Sequence, residues 1–255
     1  MMNLLFFDID GTLAIGRDVP ASAAQALALT RAKGNKVFIC TGRALPYAKR
    51  FFSDYADGFI CYNGRLGVMD DEVLYDHPLT HEQIVSLVGK LRDNDAGFEF
   101  FGTEHGYFEG TDAQFEDAEK VWHEGFLLNE FDENTIKAYN FDLLYKDAQH
   151  FARLRDVFKD ECILNDHAPH PSADVTIIGH DKSTAMLHIA DKLGVPIEHV
   201  YAFGDGYNDI KMIKAAGVGI ALGNAVNDLK AVADYITTPI LEDGVYNAMK
   251  HFELI

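Results

Sequence analysis

Leu4–Phe7 is an unbroken apolar run closed by Asp8. With no polar alternation, it reads as a strand covered on both faces, the pattern of a parallel sheet. Pro20 and the alanine-rich residues 21–33, stopped by Gly34, predict a helix. Lys36–Cys40 predicts the next buried strand, with Thr41, Gly42 and Arg43 as its exit loop, and residues 58–62 a third strand after a second helix. Strand, helix, strand, helix, strand is the grammar of a doubly wound sheet with right-handed crossovers.

That grammar then breaks. Residues 66–69 and 73–77 flank Asp70 and Asp71 and predict a hairpin. Thr80, with Gln83 three residues on, predicts a capped helix start. Residues 98–103, 137–145 and 173–178 predict strands, and 111–126 and 147–159 helices, without strict alternation. From Lys182 the first grammar returns: a helix over 183–193, a strand over 200–203, a helix over 208–215 and a strand over 218–222. A helix over 225–233, a short strand at 235–236 and a last helix over 245–252 complete it. The predicted fold is an α/β, doubly wound, Rossmann-like parallel-sheet core of residues 1–79 plus 180–255, with an α+β domain of residues 80–179 inserted in it.

At roughly 150 residues per domain, 255 residues fit this division. A hydrophobic share of 48% is enough for a sizeable core and argues against disorder. Lys and Arg number 22 against 40 Asp and Glu, a net charge of −18. Such a surface repels nucleic acid and anionic membrane, so neither is expected as a partner. It also repels an anionic substrate unless a bound cation reverses the field locally. Cys40, Cys61 and Cys162 are widely spaced with no CxxC pair, so neither a disulfide framework nor a zinc site is expected. Asp8 interrupts the first apolar stretch, no basic flank precedes it, and no run approaches the roughly 20 residues that span a bilayer. A cytoplasmic location is the expectation.

The candidate chemistry collects at predicted strand ends. Asp8, Asp10, Gly11 and Thr12 follow the first strand, where open α/β sheets place their ligands. Two neighbouring carboxylates repel, and a divalent cation would justify them, although an Asx-capped turn also accommodates the pair. Thr41 and Gly42 offer a hydroxyl and backbone N–H groups suited to a phosphoryl oxygen. Lys182 precedes a predicted helix and could neutralise phosphoryl charge; alone it would be a solvated lysine. Asp205 and Asp209, within a glycine-containing loop after residues 200–203, could complete an oxygen-rich metal shell with Asp8. Each site alone has an ordinary structural reading, but together they put acids, a hydroxyl and a lysine at one sheet edge.

The ordered series Asp8-Ile9-Asp10-Gly11-Thr12, Thr41-Gly42-Arg43, Lys182 and Gly204-Asp205-Gly206-Tyr207-Asn208-Asp209 resembles the four motifs of the haloacid dehalogenase superfamily. Tyr62-Asn63-Gly64, Ala221-Leu222-Gly223-Asn224-Ala225 and Glu242-Asp243-Gly244-Val245 resemble its Cof-type sugar-phosphatase branch, although Ser183 stands where that branch often has glycine. The inserted domain has the position and length of the branch's cap (class IIB). The resemblance implies a Mg²⁺-dependent phosphatase acting on a small phosphorylated metabolite, a sugar phosphate by analogy. It implies Asp8 as nucleophile, forming a phospho-aspartate, and Asp10 as acid and base. It implies Mg²⁺ held by Asp8, the Asp10 carbonyl and Asp205, with Asp209 close behind. It implies phosphoryl oxygens held by Thr41, Lys182, Asn208 and the backbone of Ile9 and Gly42. A phosphomutase on the same core stays open, and a phospho-accepting signalling module is a remote alternative that the insertion argues against. A monomer or weak homodimer is expected. Phe98, Phe100, Phe101, Tyr107, Trp122 and His123 are leaving-group candidates within the insertion, with core packing as the plainer reading of most; His167 and His170 read as a surface loop.

Overall fold

The computed structural model describes residues 2–70, 72–120 and 126–255. β1 (Leu4–Phe7), α1 (Ala21–Ala32), β2 (Lys36–Cys40), α2 (Leu45–Phe52) and β3 (Gly58–Cys61) alternate as expected, and β4 (Leu66–Met69) pairs antiparallel with β5 (Glu72–Asp76). Asp71, part of the predicted turn, lies outside the described residues. Next come α3 (His81–Asp93), β6 (Gly97–Phe101), β7 (Gly106–Glu109), α4 (Asp112–Glu119), β8 (Leu127–Leu128), β9 (Asn140–Leu144), α5 (Ala148–Phe158), β10 (Cys162–Asp166) and β11 (Ser172–Ile177). The chain continues through α6 (Lys182–Lys192), β12 (Val200–Gly204), α7 (Ile210–Ala215), β13 (Val218–Ala221), α8 (Asn227–Lys230), β14 (Tyr235–Ile236) and α9 (Gly244–His251).

These elements form two compact units: residues up to Asp76 with Asp181–Ile255, and His77–His180. The sequence placed the first crossing at residue 79. Leu79 is 5% exposed, packs in the core of the second unit and donates its N–H to Ala138 O at 2.7 Å. In the first unit the described strands run β14-β13-β12-β1-β2-β3-β4-β5. From β14 to β3 every pairing is parallel, and the β4–β5 hairpin adds an antiparallel edge. All four residues of β1 are fully buried, which is why their pattern lacks alternation. Phe7 stacks on Phe203 of β12 at 4.2 Å and Phe6 on Phe38 of β2 at 5.2 Å. The chain winds from β1 to β2 in one direction and from β12 to β13 in the other. The carboxyl end of β1 is therefore the topological switch point, where such sheets leave a crevice.

The second unit has a sheet of order β10-β11-β9-β6-β7-β8, antiparallel except for β7 with β8. One face buries Phe98, Phe100, Phe141 and Val175 with Leu91 of α3 and Leu154 and Phe158 of α5. Phe98 and Phe100 are thus core residues and not readers of a ligand. Phe101 is also buried, Tyr107 packs against the same core, and Trp122 and His123 lie outside the described residues. Thr80 and Gln83 form the predicted capping box on α3. Of the helix expected over 111–126, α4 takes Asp112–Glu119, residues 121–125 lie outside the described residues, and Phe126, fully buried, accepts the Gly106 N–H at the edge of β7. The strand expected over 137–145 is Asn140–Leu144, and the helix expected over 225–233 is Asn227–Lys230. The helix expected over 208–215 divides into a 3₁₀ turn, Tyr207–Asp209, and α7. His167 and His170 are exposed, each ring 2.9 Å from the Ser172 hydroxyl. Cys40, Cys61 and Cys162 are buried, and none is in a disulfide. Among the described residues, no helix is long and apolar enough to cross a membrane.

Candidate active site

Asp8 is the first residue past β1, its N–H still bound to Phe203 O at 3.1 Å. The backbone then turns: Ile9 O accepts the N–H groups of Thr12, Leu13 and Ala14 at 3.3, 3.0 and 2.8 Å. Gly11 makes this turn at φ +87°, and a Cβ there would stand 2.3 Å from Asp205 Oδ2. The loops after β1 and β12 touch at this point, with Thr12 Oγ1 donating to Asp205 Oδ1 at 2.7 Å. A Gly11→Ala variant combines a left-handed φ with that clash. It is expected to lose about 2–4 kcal/mol of stability, read from urea denaturation, with most of its activity; an unchanged midpoint would show that the loop yields freely.

Lys182 is not ahead of the helix, as the sequence suggested, but is its first residue. Asp181 caps α6, its Oδ1 accepting the N–H groups of Ser183 and Thr184, both at 3.0 Å. Ser183, the departure from glycine, adds its own hydroxyl to Asp181 Oδ1 at 2.5 Å. Gly64, at φ +100°, lets the loop after β3 lie against this start, since a Cβ would meet Asp181 O at 2.4 Å. Lys182 is thereby carried inward and is 1% exposed. Its Nζ donates to Asp8 Oδ1 at 2.5 Å and to Asp209 Oδ1 at 2.7 Å. Burial alone would lower the lysine pKa; the charges of Asp209 and Asp8 outweigh it and raise it.

Asp209 is fully buried, and its second oxygen accepts the N–H groups of Asp205 and Gly206 at 3.1 Å each. It therefore shapes the loop after β12 as well as pairing with Lys182. Oxygens of Asp8, Asp205 and Asp209 lie within 4.8 Å of one another. Three carboxylates around one ammonium leave an excess of negative charge in a largely buried site. Burial accordingly raises the Asp8 carboxyl above the usual range, against the pull of Lys182. Burial likewise pushes Asp205 up to about 6, against its bond from Thr12. An oxygen-only donor set with uncompensated charge fits a hard divalent cation of the Mg²⁺ type.

Thr41 is the first residue past β2, 1% exposed, its Oγ1 accepting the Arg43 N–H at 3.1 Å. Asn63 follows β3 at φ 52°, its N–H bound to Thr41 O at 3.1 Å, and its amide borders Gly42. Asn208 is exposed on the turn after β12. Asp10 is more open than Asp8, its side chain 46% exposed and paired with Arg43. Two contributors have no role assigned by the sequence pattern: Arg43 stands in the Thr41-Gly42-Arg43 motif without a separate task, and Asn224 stands in a segment that marks only the branch. Asn224 Nδ2 donates to Gly11 O at 2.8 Å while its Oδ1 accepts the Ile240 N–H at 2.9 Å, tying two later loops to the Asp8 loop.

The haloacid dehalogenase-like hydrolase profile matches residues 5–249. This chain belongs to the haloacid dehalogenase-like hydrolases. Two Bacillus subtilis proteins are similar to this hydrolase over nearly their whole lengths. "Putative phosphatase YkrA" is 29% identical, with 99% of this chain and 98% of the relative covered. "5-amino-6-(5-phospho-D-ribitylamino)uracil phosphatase YcsE" is 28% identical, with 99% and 96% covered. Among solved structures, the HAD subclass IIB sugar phosphatase BT4131 superposes with a TM-score of 0.82 at 29% identity, over all of both chains.

Proposed function

We propose that this hydrolase is a phosphoric monoester hydrolase that uses Mg²⁺ and forms a phospho-aspartate on Asp8 while cleaving a small phosphorylated metabolite, with sugar phosphates as the leading class. The observation that carries the reading is Lys182, buried between Asp8 and Asp209 beside Asp205 at the switch point of the sheet. With a divalent cation offsetting its excess of negative charge, such a cluster can receive a phosphoryl group. The whole-length likeness to phosphatases supports the same class.

An Asp8 oxygen attacks phosphorus in line, the ester P–O bond breaks, and Asp10 gives its proton to the departing oxygen. Asp10, now a carboxylate, takes a proton from a water whose oxygen attacks phosphorus; the Asp8–phosphorus bond breaks and phosphate leaves. Lys182 keeps Asp8 oriented and offsets phosphoryl charge, and Thr41, Asn208 and the Ile9 and Gly42 backbone hold the phosphoryl oxygens. Asp8, the Asp10 carbonyl and Asp205 would hold Mg²⁺, with Asp209 behind them. When bound, Mg²⁺ supplies charge neutralisation between nucleophile and ester. The same reading gives the inserted unit the choice of leaving group, and buried cysteines outside any disulfide fit a reducing cytoplasm.

The test is phosphate release across a broad panel of phosphorylated metabolites with Mg²⁺, product identity being checked for isomerised esters. Release from at least one member, stopped by EDTA and restored by Mg²⁺, is expected. No release from any member, metal-independent release, or an isomerised ester in place of phosphate would contradict the reading.

Metal binding should also depend on pH. The metal-free fold holds protons on Asp205 and Asp8 that an unfolded chain has lost, so these groups contribute less stability as pH rises through about 6 for Asp205 and beyond for Asp8. A cation must displace those protons, so apparent Mg²⁺ affinity should rise by about tenfold per pH unit for each proton displaced. The Mg²⁺-induced rise in Tm is therefore expected to be larger at about pH 8 than at about pH 5. A pH-independent shift would place the cation elsewhere.

A further inference from the structure

Arg43 has no part in the chemistry above, yet it is the side chain that grips Asp10. Its Nε lies 3.2 Å from Asp10 Oδ2 and its Nη2 3.4 Å from Oδ1, a two-point contact between residues 33 apart in the chain. The two side chains are 38% and 46% exposed, and an ion pair so open to water stabilises a fold very little. What a planar two-point contact does fix is direction, because both carboxyl oxygens are located at once.

Arg43 is itself held in place. Its N–H donates to Thr41 Oγ1 at 3.1 Å, and its carbonyl accepts the Tyr62 N–H at 3.3 Å. Its guanidinium lies 5.2 Å from the ring centre of Tyr47, one turn further along the chain on α2. Tyr47 is 8% exposed and packs on Phe51 at 5.0 Å, so the guanidinium rests on a fixed plane. The chain thus builds a rigid mount for one carboxylate, at the loop that also supplies Thr41.

We propose that Arg43 is a positioning residue for Asp10. It holds the carboxyl in the rotamer from which a proton reaches the leaving oxygen, and it faces the charge that Asp10 carries once that proton has gone. This inference rests on the proton-shuttle role proposed above for Asp10. In the step concerned, an Asp8 oxygen bonds to phosphorus, the ester P–O electron pair stays with the departing oxygen, and that oxygen takes the Asp10 proton.

The test compares kcat/KM for two esters, because this ratio reports the steps through leaving-group departure. p-Nitrophenolate departs without a proton, whereas an alkoxide needs one. Arg43→Gln is expected to lower kcat/KM by about tenfold or more on a simple alkyl phosphate and by less than about threefold on p-nitrophenyl phosphate. Arg43→Lys, which keeps the charge but offers a single donor point, should recover part of the alkyl-ester loss. Asp10→Asn should show the same split more deeply, and adding Arg43→Gln to it should not widen the split further. An equal loss on both esters, or a loss carried in KM alone, would make Arg43 a phosphoryl contact and overturn the inference while Asp10→Asn still shows its split. If Asp10→Asn itself treats both esters alike, the shuttle reading fails and the inference falls with it. Should Arg43→Gln fail to fold, judged by circular dichroism, the same ester comparison on Arg43→Lys decides: a split favouring p-nitrophenyl phosphate supports the inference and no split overturns it.

Discussion

Replacing Asp8 with asparagine is expected to lower kcat by at least roughly 10,000-fold, because the amide has no anionic oxygen to bond to phosphorus. The fold should survive. The amide oxygen still accepts the Lys182 ammonium, which lies 2.5 Å from Asp8 Oδ1, and a neutral amide takes the place of a carboxyl whose charged form burial already disfavours. Stability in the absence of metal is therefore expected to stay level or rise. Acid-quenched wild-type turnover mixtures should yield a peptide carrying one phosphoryl group at Asp8, and the variant should yield none. Turnover within tenfold of wild type, or phosphoryl trapped on another residue, would remove Asp8 from the nucleophile role.

Lys182→Met is the second large effect and concerns the fold as much as the reaction. Methionine matches the length of the lysine stem but leaves Asp8 and Asp209 facing each other without their ammonium, in a site where Lys182 is 1% and Asp209 0% exposed. Breaking a buried pair by removing one partner costs about 3–5 kcal/mol, since the remaining charges are left uncompensated. Urea denaturation should read this loss at neutral pH. The loss should grow as pH rises above neutrality, because a deprotonated Asp8 then faces Asp209 without the ammonium; the raised Asp8 carboxyl gives the direction of that change. Activity is expected to fall by about 100-fold or more, as for removal of other preorganised charge. A variant as stable as wild type at neutral pH would mean that the two carboxylates find water or share a proton, and that Lys182 is not what holds the cluster together.

What the residues alone made legible is the core sheet and the location of its chemistry. Leu4–Phe7, Lys36–Cys40 and residues 200–203 read as buried strands because parallel strands are covered on both faces and tolerate no polar alternation. The acids after the first and last of these had to lie at one edge, because parallel strands end on the same side. The second unit was less legible. β7 and β10 are short strands of mixed exposure, so neither periodicity stands out, and α4 stops where the pattern alone would have continued it. Tertiary structure decided the pairings within the site. Thr12 meets Asp205 across 193 residues, Asn224 meets Gly11 across 213, and Arg43 meets Asp10 across 33. No local spacing encodes such contacts. They arise only when the winding of the sheet brings separate loops to the carboxyl end of β1, and the same folding carries a lysine, ordinarily a surface residue, into a nest of acids where its charge is needed.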